Sequence, residues 1–239
     1  MLTITDTVPA SAALAVPRHI GFIADGNRRW ATSHGLSAEE GHRYGAAVVH
    51  QVLAQCRTLG VEAASVFLMS DRNFHRPEHQ VAELIDVITD MLDVEAAAST
   101  GPVRILAHLS AGHTFPGPLA EAIQRTEEAT ADRPGMTVCF GIGYDGQADI
   151  RQAVARALRS PDYDEREELP IARYLSTSGL PDLDLMVRSA GERRLSGFLL
   201  YQAADATMHF DNRYWPDYDR QALEEALASH AAQKRTFGH

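Results

Sequence analysis

The chain has 239 residues, 45% of them hydrophobic, with 32 acidic against 22 basic side chains and a formal net charge of −10. That length buries one sizeable core, and the acidic balance excludes a duplex nucleic-acid binder held by phosphate neutralisation, so any phosphate partner meets a local basic cluster. Cys56 and Cys139 form no CxxC pair, and no apolar run approaches the ~18 residues of a membrane span, which argues against a disulfide framework, a zinc site or stable membrane insertion.

Residues 1–17 read as a mobile, Ala-rich tail without the basic start of a signal peptide, implying a cytoplasmic location. Ile20 to Ala24 predicts a strand, Asp25-Gly26-Asn27 a turn, and Arg28-Arg29-Trp30-Ala31 the opening of a helix. Val49, Val52, Leu53 and Cys56 keep helical spacing up to Gly60, and Ala63 to Met69 is a short apolar run expected of a buried strand. Behind Arg76-Pro77, the residues Val81, Leu84, Ile85, Ile88, Met91 and Leu92 recur at three and four positions and give one helical stripe. Further along come a strand over Val103 to Leu106, a helix over Leu119 to Ala129, a strand over Met136 to Phe140 and a helix over Ile150 to Leu158. Leu185 to Val187 adds a strand, Phe198 to Ala204 a helix, Ala206 to Phe210 a last strand, and Leu223, Ala226 and Leu227 a closing helix. The alternation predicts an α/β fold: a single domain with a central, mainly parallel sheet flanked by helices on both faces and ligands past the strand carboxyl ends.

Two basic clusters sit where a strand meets a helix. In Asp25-Gly26-Asn27-Arg28-Arg29-Trp30, free N–H groups and two guanidiniums suit an anion, although an ordinary turn with solvated arginines fits the local pattern equally. Asp25 beside an anion is repulsive unless a cation intervenes, which makes it a candidate for magnesium; its bland role is helix capping. The second cluster, Arg188-Ser189-Ala190-Gly191-Glu192-Arg193-Arg194-Leu195-Ser196, suggests a second phosphorylated substrate or only a solvated face. Gly141 to Gly146 matches GxGxxG but lies mid-chain without the acidic residue that should follow on a second strand, so a dinucleotide oxidoreductase ranks third among the readings. His75 with His79, and His108 with His113, read as surface pairs.

The stretches His19 to Ala31, Gly41-His42-Arg43-Tyr44-Gly45, Ser70 to Pro77, Asp184 to Leu200 and Tyr214-Trp215-Pro216-Asp217-Tyr218 together resemble the signatures of the cis-prenyltransferases, the family of undecaprenyl diphosphate synthase. The resemblance covers about 18–238 and implies a homodimeric catalytic domain over 18–239 that uses Mg2+. It implies Asp25 as the metal and catalytic aspartate, and Gly26, Asn27, Arg28, Arg29, Trp30 and Arg76 around an allylic diphosphate, with His42 and Ser70 nearby. Asn73 matches an asparagine implicated in proton removal, and Arg188, Arg194 and Ser196 match the isopentenyl diphosphate site. Leu68 stands where long-chain members carry a small residue, so it is expected to wall off elongation and stop products at C10–C15.

The departures bear on the acceptor. Thr207 replaces a family glutamate that helps hold magnesium, Ala38 an arginine, and Asp71-Arg72 the usual Ser-Glu, while Gly143 to Gln147 breaks the customary Tyr-Gly-Gly-Arg. These changes motivate two alternatives to short-chain condensation: irregular, possibly cyclising, coupling of two allylic diphosphates, with His75 or His209 as base, and a weakly active partner subunit.

Overall fold

The structure is a computed structural model that describes residues 16–110, 113–161, 163–164, 166 and 168–233. Most of the expected tail lies outside them; Val16 is exposed and Pro17 is already buried. The elements are β1 (His19–Ile23), α1 (Asn27–Ser33), α2 (Ala38–Leu59), β2 (Ala63–Ser70), α3 (Glu78–Ala98), β3 (Val103–Leu106), α4 (Gly117–Thr130), β4 (Thr137–Tyr144), α5 (Gly146–Leu158), β5 (Leu185–Arg188), β6 (Thr207–Phe210) and α6 (Arg220–Ala231). A 3-10 turn, Asp71–His75, joins β2 to α3.

The strands form one sheet in the order β3-β4-β2-β1-β5-β6, with every neighbouring pair parallel. β1, β4 and β5 are buried almost throughout, while the edge strands β3 and β6 are partly covered, and the period of two sorts the side chains into two cores. Ile20, Phe22, Val138, Phe140, Ile142, Leu185 and Val187 join α2, α3 and α6 on one face, whereas Ile23, Cys139 and Met186 pack with Phe198, Leu199 and Ala203 on the other. That double burial is why the strands read as continuous apolar runs. Cys56 on α2 and Cys139 on β4 are both fully buried, and burial pushes their thiols up to about 12 and about 11.

Caps fix where the helices begin. Ser37 Oγ accepts from Glu40 N–H at 3.1 Å and the Glu40 carboxylate accepts from Ser37 N–H at 2.7 Å, so α2 starts at Ala38 and carries His42 one turn in. The stripe on α3 buries Leu84, Ile85, Ile88, Met91 and Leu92, and fully buried Glu95 ties α3 to His50 and Arg57 of α2 at 2.8 and 2.5 Å.

The helix expected over Phe198 to Ala204 is a series of turns. Ser196, Gly197 and Leu199 take φ of 51°, 88° and 45°, which a right-handed helix does not admit, while the apolar residues that suggested a helix are buried because they cover the second core. His108 also differs from its surface reading: it is buried, with Nε2 3.1 Å from the fully buried Asp149 and Nδ1 3.2 Å from Gln152 Oε1. Asp149 also accepts from Tyr144 Oη–H at 2.9 Å and from Ser176 N–H and Oγ–H at 3.0 and 2.9 Å, so an isolated histidine in a loop hid a packed polar network.

Candidate active site

From β1 the chain crosses to β2 on one side, and from β5 it passes to β6 on the other, so the sheet order reverses between β1 and β5. Ligands of open parallel sheets bind past the strand carboxyl ends at such a reversal. Asp25 follows β1 there and Arg188–Ser189 closes β5. The two strand ends are stitched together: Asp25 N–H donates to Ser189 Oγ at 2.9 Å and Ser189 Oγ–H donates to the Asp25 carbonyl at 2.8 Å.

A cleft of about 1550 Å³ opens over this point. Of the residues expected at the site, Asp25, Gly26, Asn27, Arg28 and Arg29 line it from the β1–α1 turn, and His42 lines it from α2. Leu68, Ser70, Asn73 and Arg76 enter from β2 and the turn behind it, and Arg188, Arg194 and Ser196 from the segment after β5. Trp30 does not line it. Its indole N–H donates to Asp217 at 2.7 Å and its ring packs between His34 and Tyr44, so it belongs to the joint between α1, α2 and the Trp215 turn. The helical period explains this, because Trp30 falls on the buried side of α1 while Arg28 and Arg29 face outward.

Gly26 is required twice over: its φ is 103°, and a Cβ there would lie 2.7 Å from the Tyr214 ring. α1 is only seven residues long, so the cations rather than a helix dipole dominate this turn. Among the described residues Arg28 and Arg76 form no ion pair with a carboxylate. His42 sits with them, its buried Nδ1 without a hydrogen-bond partner; burial first, then Arg76 and Arg28, push it down to about 4. Burial and Arg28 also lower Arg76. Cations gathered in this way fit an anionic ligand. Asn27 donates from Nδ2 to the Ala24 carbonyl at 3.2 Å and leaves its buried Oδ1 unpaired.

The cluster after β5 differs. Arg188, its side chain 4% exposed, donates through Nη2 to Asp25 Oδ2 at 2.8 Å and through Nη1 to Ser196 Oγ at 2.6 Å and to the Arg194 carbonyl. Arg29 reaches Asp25 Oδ1 at 3.3 Å and Glu192 at 3.8 Å and lies 5.4 Å over the Tyr214 ring, while Arg194 pairs with Glu192. Glu192 and Tyr214 are thus site residues to which the sequence reading assigned no role; their place inside the quoted motifs was the available signal. Asn73 Oδ1 accepts from Ser70 N–H at 2.9 Å and Ser70 Oγ–H at 3.0 Å, which leaves Nδ2 as the free end of the amide.

Two sequence expectations move. Thr207 pairs with Leu185 at the amino end of β6, and its Oγ lies 3.1 Å from His230 Nδ1, so within this chain it does not line the cleft. The glycines of the Gly141–Gly146 motif serve packing: a Cβ on Gly143 would meet Leu109 at 2.3 Å and one on Gly146 the Gly197 carbonyl at 2.4 Å, which leaves no phosphate cradle of the dinucleotide kind.

Beside the main cleft lies a smaller pocket of about 40 Å³ that shares Ala24, Asn27, His42, Phe67, Leu68 and Leu84 with it and is closed by Val87, Ile88 and Met91. Its walls are mostly apolar, and it runs between α2 and α3. No helix among the described residues is long and apolar enough to cross a membrane.

Comparison with known proteins agrees with this geometry. The family model described as putative undecaprenyl diphosphate synthase matches residues 23–238. An isoprenyl transferase of Chromobacterium violaceum is 36% identical over 222 residues, covering 93% of this chain and 88% of that protein. The ditrans,polycis-undecaprenyl-diphosphate synthase ((2E,6E)-farnesyl-diphosphate specific) of Aliivibrio fischeri is 34% identical over 231 residues, covering 93% and 89%. Among solved structures, lavandulyl diphosphate synthase from Lavandula x intermedia in complex with dimethylallyl diphosphate superposes with a TM-score of 0.82 at 29% identity, over 94% of this chain and 99% of that one. With its parallel sheet, its cation-lined cleft at the β1–β5 reversal and these relatives, the chain belongs to the undecaprenyl diphosphate synthase family of prenyltransferases and is an enzyme.

Proposed function

We propose that the protein condenses a short allylic diphosphate with isopentenyl diphosphate to a C10–C15 product. The observation that carries this reading is the pocket beside the cleft: at about 40 Å³ it offers a growing apolar chain little room, and Leu68 stands at its junction with the cleft. Further methylenes driven into this wall would overpack it at about 1–3 kcal/mol. Arg28, Arg76 and His42 receive the allylic diphosphate, and Arg188, Arg194 and Ser196 the acceptor's.

In this reading the allylic C–O bond breaks, the acceptor double bond attacks the developing cation, and a proton leaves the acceptor. Guanidiniums already in place stabilise the charge growing on the departing diphosphate. Asn73, with Oδ1 held by Ser70, works through Nδ2 as a donor, and the released diphosphate oxygens take the proton. Asp25 fits Mg2+ of the kind held by one carboxylate, substrate phosphates and water. Among the described residues no group of three or more His, Cys, Asp or Glu forms a separate metal cage, in keeping with an ion that enters with its substrate. When bound, that ion supplies further neutralisation of the diphosphate charge.

Mass spectrometry of the dephosphorylated product from dimethylallyl, geranyl or farnesyl diphosphate with isopentenyl diphosphate tests the reading. Products should stop at C10–C15, and Leu68→Ala should lengthen them; long products from the unaltered protein would overturn it. A second reading, the joining of two allylic diphosphates, is favoured by the likeness to lavandulyl diphosphate synthase bound to dimethylallyl diphosphate, and by Arg72, a cleft-lining guanidinium with no ion pair among the described residues. A C10 product from dimethylallyl diphosphate alone would select it.

A further inference from the structure

The 3-10 turn Asp71–His75 carries Asn73 and leads into Arg76, so whatever fixes this turn fixes much of the donor site. Ser70 holds its front through Asn73. Its back is held by Asp71, which is 8% exposed and whose carboxylate accepts from Ser110 N–H at 3.0 Å and from the Ser110 hydroxyl. Two ring contacts run alongside, Phe74 with Phe115 at 6.3 Å and His75 with His113 at 5.4 Å. All these partners belong to the connection between β3 and α4. That connection is itself anchored, because His108 N–H donates to the Gly143 carbonyl at 3.0 Å and Leu109 covers Gly143.

A free carboxylate here would work against the site, since Asp71 lines the same cleft in which Arg28, Arg72 and Arg76 gather for an anion. Committed to two donors, it is taken out of that competition. Burial by itself would push its carboxyl up, but the two Ser110 bonds, with His113 and His75 nearby, outweigh burial and hold it below the usual range.

We propose that Asp71 is a positioning residue, a staple to Ser110 that sets Asn73 and Arg76 in their binding geometry before substrate arrives. If the staple is lost, the competent fraction of the empty site falls and apparent affinity falls with it, whereas a bound diphosphate restores the geometry and saturated turnover persists. Only this kinetic consequence rests on the prenyl-transfer reading; the ordering of the turn does not.

The test compares Asp71→Asn, Ser110→Ala and the double variant with the unaltered protein. Backbone hydrogen exchange of 71–76 in the empty protein should quicken about tenfold in each single variant. KM for dimethylallyl diphosphate should rise about tenfold with kcat changed less than twofold, and the double variant should add little, because both changes cut one link. Should Asp71→Asn fold poorly, Ser110→Ala removes only a hydroxyl and carries the test alone. Should the protein prove inactive with dimethylallyl diphosphate, calorimetric binding of inorganic pyrophosphate replaces the kinetic arm and should weaken by the same factor. Unchanged exchange of 71–76, or exchange quickened without any loss of affinity, overturns the proposal.

Discussion

The two basic clusters of the cleft are built on opposite principles. Beside the β1–α1 turn, Arg28 and Arg76 form no ion pair among the described residues, and burial together with these two cations lowers His42. In the cluster after β5, Arg188 is 4% exposed and already bonded to Asp25, Ser196 and the Arg194 carbonyl, while Arg194 pairs with Glu192. Uncompensated cations favour strong, salt-sensitive capture of a ligand; compensated ones hold geometry and must exchange partners when a ligand arrives. Asp25 stands between the two, since its carboxylate is shared by Arg188 and Arg29.

The largest effect should come from breaking that shared point. Asp25→Asn should lower kcat by about a thousandfold, on the scale of losing one preorganised electrostatic contact. It should leave the circular dichroism spectrum unchanged; near-full activity would show that the bridge is structural only. Asp25→Ala should also lower the melting temperature, because it strips a buried guanidinium of its partner.

A sharper comparison sets Arg76→Ala against Arg194→Ala. The first should raise KM for the allylic diphosphate about tenfold or more, as expected for losing a charged hydrogen bond, with a rise that shrinks in high salt. The second should act on the acceptor and by less, because the Arg194 side chain is 62% exposed and offset by Glu192. Equal losses on both substrates would merge the two sites into one.

The smallest effect is on stability against pH. His42 falls from 6.5 to about 4 in the folded chain, and His19 is also lowered, chiefly by burial. The unfolded state therefore binds more protons below pH 6.5, so stability is full above that value and declines as pH falls from 6.5 towards about 4. Urea titrations should show this slope, and His42→Gln should flatten it. Saturating pyrophosphate should also flatten it, because an anion beside His42 favours the charged ring.

Much of this was legible in the sequence. β3 was bounded as observed, Val103 to Leu106, and the α3 stripe fell where its spacing put it, because both signals depend on burial alone. The cleft residues were legible because the turns after β1 and β5 carry their chemistry in consecutive positions. Trp30 was misplaced because a motif does not say which face of α1 turns inward. Thr207 stands at the amino end of β6, as its place in the Ala206 to Phe210 run implies, and the parallel sheet therefore sets it away from the cleft. The Asp71–Ser110 staple and the His108–Asp149 contact join residues 39 and 41 positions apart, and only packing brings such partners together.

Burial of the two thiols gives the molecule a clock. The thiolate is the species that attacks alkylating reagents and disulfides, and with Cys56 and Cys139 pushed to about 12 and about 11 it is nearly absent near neutrality. Both sulfurs also lie inside the core, so a reagent reaches them only when α2 or β4 separates from the sheet. Maleimide incorporation at these positions therefore counts openings of the native chain, and oxidants that spare the fold should leave both cysteines reduced.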